Sequence, residues 1–149
     1  MRLRYTVLAA CSAIFLGGFL VITPAAEAAP AIRLGKIQYD PSGKDTRNNA
    51  QLNREYVVIK NVSGKARNLT GWRLRDRSNH VYKFGTFTLK ARSSVTIHTG
   101  KGRNSAGHRY WGRGWYVWNN TGDKATLRNA SRNVVDYCIW SNGSGIKYC

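Results

Sequence analysis

Between Lys101 and Trp118 the chain sets four cations, Lys101, Arg103, Arg109 and Arg113, among five large aromatic side chains, Tyr110, Trp111, Trp115, Tyr116 and Trp118. Cations at this density neutralise phosphate, and an aromatic face stacks on a nucleobase for about 1–3 kcal/mol per base. The same faces stack on sugars. Glycines at 100, 102, 107, 112 and 114 let the segment conform to a ligand. The chemistry on offer is polyanion binding, with the four cations neutralising charge and Tyr110, Trp115 and Tyr116 stacking. Large aromatics also fill cores, and two or three of the five rings are expected to be buried.

Other residue patterns offer less. The three histidines, His80, His98 and His108, lack the i, i+4 spacing with an intervening Glu that zinc hydrolases use. Cys138 and Cys149 do not approach a zinc-knuckle spacing. Gly100-Lys101-Gly102 lacks the rest of a phosphate loop, and no Gly-x-Ser-x-Gly elbow occurs. Asp40, Asp45, Asn48 and Asn49 could offer oxygen ligands to calcium, but Asp and Asn in one loop read first as turn formers. Catalysis, a metal and a cofactor are therefore not expected. A second basic set, Lys60, Lys65, Arg67, Arg73, Arg75 and Arg77, reads as a solvated sheet face, with Arg73 and Arg75 pointing the same way on a regular strand.

The N-terminus carries an export pattern. Arg2 and Arg4 precede an apolar run from Val7 to Ile22, followed by Thr23-Pro24 and the small-residue triplet Ala26-Glu27-Ala28. This reads as a secretory signal peptide over residues 1–28, cleaved after Ala28, with a secreted domain over 29–149. The apolar run is short for a membrane span. Leu8-Ala9-Ala10-Cys11 resembles a lipid-attachment box, but it lies in the middle of the run, so Cys11 is assigned to the discarded segment. Two cysteines remain, Cys138 and Cys149, and an even pair in an exported protein is expected to form a disulfide. The chain holds 24 Lys and Arg against 7 Asp and Glu, a formal net charge of +17. Arg2, Arg4 and Glu27 leave with the leader, and 22 basic against 6 acidic residues give +16 for the rest. Such a domain is drawn to nucleic acid, anionic wall polymers or acidic lipids.

The elements that must position these residues are short strands. Ala31 to Tyr39 alternates, with Ile32, Leu34, Ile37 and Tyr39 inward and an irregularity at Gly35. Strands are expected at Glu55 to Asn61, Gly71 to Arg75, His80 to Phe84, Phe87 to Leu89 and Ser94 to Thr99, then a long loop from Gly100 to Gly114, then strands at Trp115 to Trp118, Ala125 to Arg128 and Val134 to Ile139. Gly, Asn, Asp and Ser punctuate them. This spacing fits a β-sandwich or a β-barrel.

The order Glu55-Tyr56-Val57-Val58-Ile59-Lys60-Asn61, Leu69-Thr70-Gly71-Trp72-Arg73-Leu74-Arg75-Asp76, Tyr82-Lys83-Phe84, Phe87-Thr88-Leu89 and Val95-Thr96-Ile97-His98-Thr99-Gly100 resembles the lamin tail domain family. So does Trp118 to Leu127, followed by Val135-Asp136. The resemblance covers about Ile32 to Tyr137. It implies an all-β, immunoglobulin-like antiparallel β-sandwich, and it is similar throughout to a binding or adaptor module. One departure is local: family members often carry a Gly near the turn before the Ser-Val-Thr-Ile strand, where this chain has Ala91-Arg92-Ser93. Glu55 and Asp123 match family positions, and hydrogen bonding at turns and strand ends accounts for them without catalysis. The expected function is a secreted, monomeric, non-enzymatic module that binds nucleic acid or an anionic cell-wall polymer. The alternative is a structural or protein-interaction module at the cell surface.

Overall fold

The computed structural model describes residues 29–149. The leader, its cleavage point and Cys11 lie outside the described residues. Alternation in the sequence becomes strands β1 (Ile32–Gln38), β2 (Tyr56–Asn61), β3 (Arg67–Asn68), β4 (Arg73–Arg75), β5 (Val81–Lys83), β6 (Thr88–Leu89), β7 (Ser94–His98), β8 (His108–Tyr110), β9 (Gly122–Arg128), β10 (Val134–Ser141) and β11 (Ile146–Tyr148), with one helical turn, α1 (Asn49–Leu52). They form a five-stranded sheet ordered β11-β1-β2-β7-β8, a four-stranded sheet ordered β10-β9-β4-β5, and the small β3-β6 pair. The inward residues of both sheets, among them Leu34, Ile37, Val57, Ile59, Leu74, Val95, Ile97, Ala125 and Leu127, make one core. This is the immunoglobulin-like sandwich, not a barrel.

The irregularity expected at Gly35 is a register shift between Leu34 and Ile37. The glycine lets the Lys60 side chain lie across the strand, where a Cβ would stand 2.5 Å from it and push the chain end aside. A matching shift lies in β10 between Val134 and Asp136. The Asp136 carboxylate accepts the Leu34 N–H at 2.7 Å, so the two irregular strands tie the sheets together across their shared edge. At that same edge the expected disulfide, Cys138–Cys149, joins β10 of one sheet to the end of β11 in the other.

Four expectations need correction. The segment from Gly100 to Gly114 is not all loop: β8 forms inside it and pairs with β7 in parallel, so the sandwich is not purely antiparallel. Trp115 to Trp118 is not a strand, because the Val117 and Trp118 N–H groups are taken by the Glu55 carboxylate instead of a neighbouring strand. The polar stretch before Asn53 contains α1, capped by the Asn48 side chain. Strand β11, absent from the sequence reading, pairs with β1 through Lys36, Ile37 and Gln38.

An aromatic chain runs through the core. Tyr39 stacks on Trp140, Trp140 meets Trp118, Trp118 meets Trp111, Trp111 meets Tyr82, and Tyr82 leads through Phe84 to Phe87. Neighbouring ring centroids are 5.0 to 5.9 Å apart, the range in which aromatic pairs attract. Through Trp111 and Trp118, the segment that carries the candidate site is anchored to this core.

Candidate polyanion-binding surface

The candidate segment starts where β7 ends and is held by side-chain amides. The Asn49 and Asn53 side-chain amides both donate to the Lys101 carbonyl, at 2.8 and 2.9 Å, and Asn49 Oδ1 accepts the Lys101 N–H. Gly102 lies against the Tyr110 ring, so close that a Cβ would enter it. Lys101 and Arg103 are left exposed on either side of that glycine.

Strand β8 divides the remaining residues. His108 and Tyr110 face one side. Tyr110 stacks on His98 with centroids 4.9 Å apart, and His108 lies 5.2 Å from His98 on the same side. The His98 Nδ1–H donates to the Asn53 carbonyl, so its Nε2 accepts from His108 Nδ1 at 3.0 Å. Burial lowers the His98 pKa, the direction that favours this neutral arrangement. Arg109 faces the opposite way. Its guanidinium lies 4.2 Å from the Phe87 ring centroid, and its Nε is buried without a hydrogen-bond acceptor. It is the polar end of the aromatic chain rather than a free cation.

Beyond β8, Arg113 is half-buried and its N–H donates to the Thr99 carbonyl. Trp115 is 48% exposed, with the Arg47 guanidinium stacked 3.2 Å from its centroid. The Tyr116 hydroxyl is buried and lacks an aligned acceptor, and its pKa is raised first by burial and then by the nearby Asp45 carboxylate. Trp115, Tyr116 and Arg47 border a hollow of about 220 Å³ with Tyr39, Asp45 and Asn119; Arg113 does not. The structure therefore groups Lys101, Arg103 and Tyr110, separates Arg109 from them, and sets Trp115 and Tyr116 against the loop that holds Asp45 and Arg47. Of the five rings only Trp118 is fully buried, and Tyr110, Trp111 and Tyr116 are half-buried.

The carboxylates are occupied with the fold. Glu55 is fully buried and accepts from the Thr99 hydroxyl at 2.6 Å, from Val117 N–H at 2.8 Å and from Trp118 N–H at 3.2 Å. Asp123 accepts the Arg77, Asn119 and Lys124 N–H groups. Asp76 accepts from the His80 N–H and lies 2.6 Å from His80 Nδ1. Among the described residues, no Lys or Arg stands within 4 Å of a carboxylate; the one close pair is His80 with Asp76. Of the second basic set, Arg73 and Arg75 share the outer face of the four-stranded sheet, as the strand period requires, and Arg128 of β9 stands opposite Arg73. Arg128 was not singled out by sequence, since only the register of β4 on β9 brings it there.

A comparison with protein families gives one match, the Lamin Tail Domain, over residues 25–142. The chain belongs to the lamin tail domain family. This agrees with the observed sandwich, and the family is one of immunoglobulin-like binding and structural domains. The match stops before β11 and Cys149, so the last strand and its disulfide half lie beyond the lamin tail domain as matched. No curated protein matches the chain.

Proposed function

We propose that this lamin tail domain is an exported, non-enzymatic module that binds an extracellular phosphodiester polyanion, either nucleic acid or an anionic cell-wall polymer. One observation carries the reading: the buried carboxylates accept backbone N–H groups, so the large cationic excess has no internal carboxylate partners among the described residues. Unpaired cations create a field that releases counterions from a polyanion on contact. Exposed Lys101 and Arg103 would add phosphate contacts, with Tyr110 and Trp115 as partly open stacking surfaces. The test is binding to single-stranded DNA and to poly(glycerol phosphate) at rising salt. Steep weakening with salt supports the reading, and salt-independent binding contradicts it.

A second reading, a protein-interaction module, is favoured by one feature. The edge strand β10 exposes Val134, Tyr137 and Ile139, and an open edge can accept a partner's strand. It predicts partner capture that survives high salt.

A further inference from the structure

The outer face of the four-stranded sheet carries a feature outside the candidate loop. Arg73, Arg75, Asn79, Val81, Arg128 and Arg132 line one concavity of about 270 Å³. Four arginines border it and no carboxylate does. In the antiparallel register Arg73 stands directly opposite both Arg128 and Lys83. Like charges in facing positions are destabilising, so the sheet holds these cations against their mutual repulsion.

The arginines are also braced. Arg128 Nη1 donates to the Arg132 carbonyl at 2.8 Å, and Arg73 Nη1 donates to the Gly71 carbonyl at 3.2 Å. Both bonds fix one end of a guanidinium and leave its other donors for a ligand. The two turns that frame the hollow are in the left-handed region at non-glycine residues, Asn79 with φ 72° and Arg132 with φ 69°. Asn tolerates that conformation, but Arg is strained in it. The second turn is well fastened, with Asn133 N–H donating to the Asn129 side chain and Arg132 N–H to the Asn129 carbonyl. The turn is thereby held rigidly beside the arginines.

Guanidinium groups bind phosphate through paired N–H donors. A hollow bordered by four arginines, with Val81 among its apolar lining, suits a single phosphate group and part of its ester. We infer that Arg73, Arg75, Arg128 and Arg132 form a phosphate-binding cradle that receives one phosphodiester of a polyanionic chain. The adjoining surface suits the rest of that chain. Next along the sheet, Tyr137 is more than half exposed, with the Lys124 ammonium 4.4 Å from its centroid. The inference rests on the polyanion reading and gives it a location distinct from the Lys101–Tyr116 segment.

The test compares three variants of the full secreted chain. Arg75→Gln with Arg132→Gln removes two cradle cations whose side chains make no hydrogen bond within the fold. Lys44→Gln with Lys90→Gln removes the same charge from exposed sites elsewhere. Arg75→Lys with Arg132→Lys keeps the charge and removes the paired donors. Fluorescence anisotropy with labelled oligothymidylate, and separately with labelled poly(glycerol phosphate), tells nucleic acid from wall polymer as the source of the phosphodiester. The cradle variant is expected to bind about tenfold or more weakly, and the control about twofold. Its salt slope on the single strand should be shallower by about 1.4, two contacts at about 0.7 each. The lysine pair should lose several-fold affinity. Inorganic phosphate should raise the melting temperature of the wild type above that in chloride of equal ionic strength, and not that of the cradle variant. Equal losses in cradle and control variants, or undiminished binding by the lysine pair, would overturn the cradle while leaving the polyanion reading intact. Failure of the wild type to bind either probe overturns both.

Discussion

Glu55 gathers three donors in a site with no exposure, and two effects compete there. Hydrogen bonds from Thr99, Val117 and Trp118 favour the carboxylate, but burial disfavours it more, and its pKa is pushed up to about 7. An unfolded Glu titrates near 4.5. Between these values the folded state holds a proton that the unfolded state has lost. This group therefore makes the domain less stable as pH rises from about 4.5 to about 7, by roughly 3 kcal/mol across the window. Denaturant unfolding at several pH values checks this, with Glu55→Gln as the reference. The variant should lose that slope, and an identical slope in both proteins would refute the assignment. The chemistry at this residue was legible in part. Glu55 and Asp123 were expected to serve hydrogen bonding, but which N–H groups Glu55 serves depends on a loop more than 60 residues away, and no local pattern reports that.

At the level of elements, the unexpected strands share one cause. β8 and β11 are three residues long and form beside the longer strands β7 and β1, while the two-residue β3 pairs only with the equally short β6. Intrinsic propensity is too weak to announce such pieces. The longer strands, β1, β2, β7, β9 and β10, were readable because alternation persists over five residues or more. The turn at Ala91-Arg92-Ser93 is a case where sequence raised the right question. Arg92 has φ 56°, so the turn keeps a glycine-like left-handed geometry without a glycine. Arg92→Gly should raise stability by up to about 1 kcal/mol, the cost of a left-handed non-glycine residue less the entropy that glycine adds to the unfolded chain. Thermal or urea unfolding measures it, and a loss of stability would contradict the strain. The disulfide belongs to this scale too, since it joins the edge strands of the two sheets. Opening a loop of this size by Cys149→Ser should cost about 2–3 kcal/mol. Unfolding of the variant against the oxidised protein tests that, and equal stability would mean that Asp136 and β11 hold the edge unaided.

Over the whole molecule, composition foretold the charge but not its distribution. The loop cations were visible because they are neighbours in sequence, yet β8 turns Arg109 back onto Phe87 and away from Tyr110. The arginines that do converge come from β4, β9 and the turn after β9, about 55 residues apart along the chain, and only the sheet register unites them. Four carboxylates follow the opposite rule: Glu55, Asp76, Asp123 and Asp136 accept backbone N–H groups of the fold, which leaves the surface cationic. A polyanion module follows from that division of labour, and its direct test is affinity for oligothymidylate and poly(glycerol phosphate) measured as salt rises from about 50 to 200 mM. The logarithm of the affinity is expected to fall linearly with the logarithm of salt, by about 0.7 per phosphate contact on the single strand. Binding that is absent at low salt, or that does not weaken as salt rises, would contradict it.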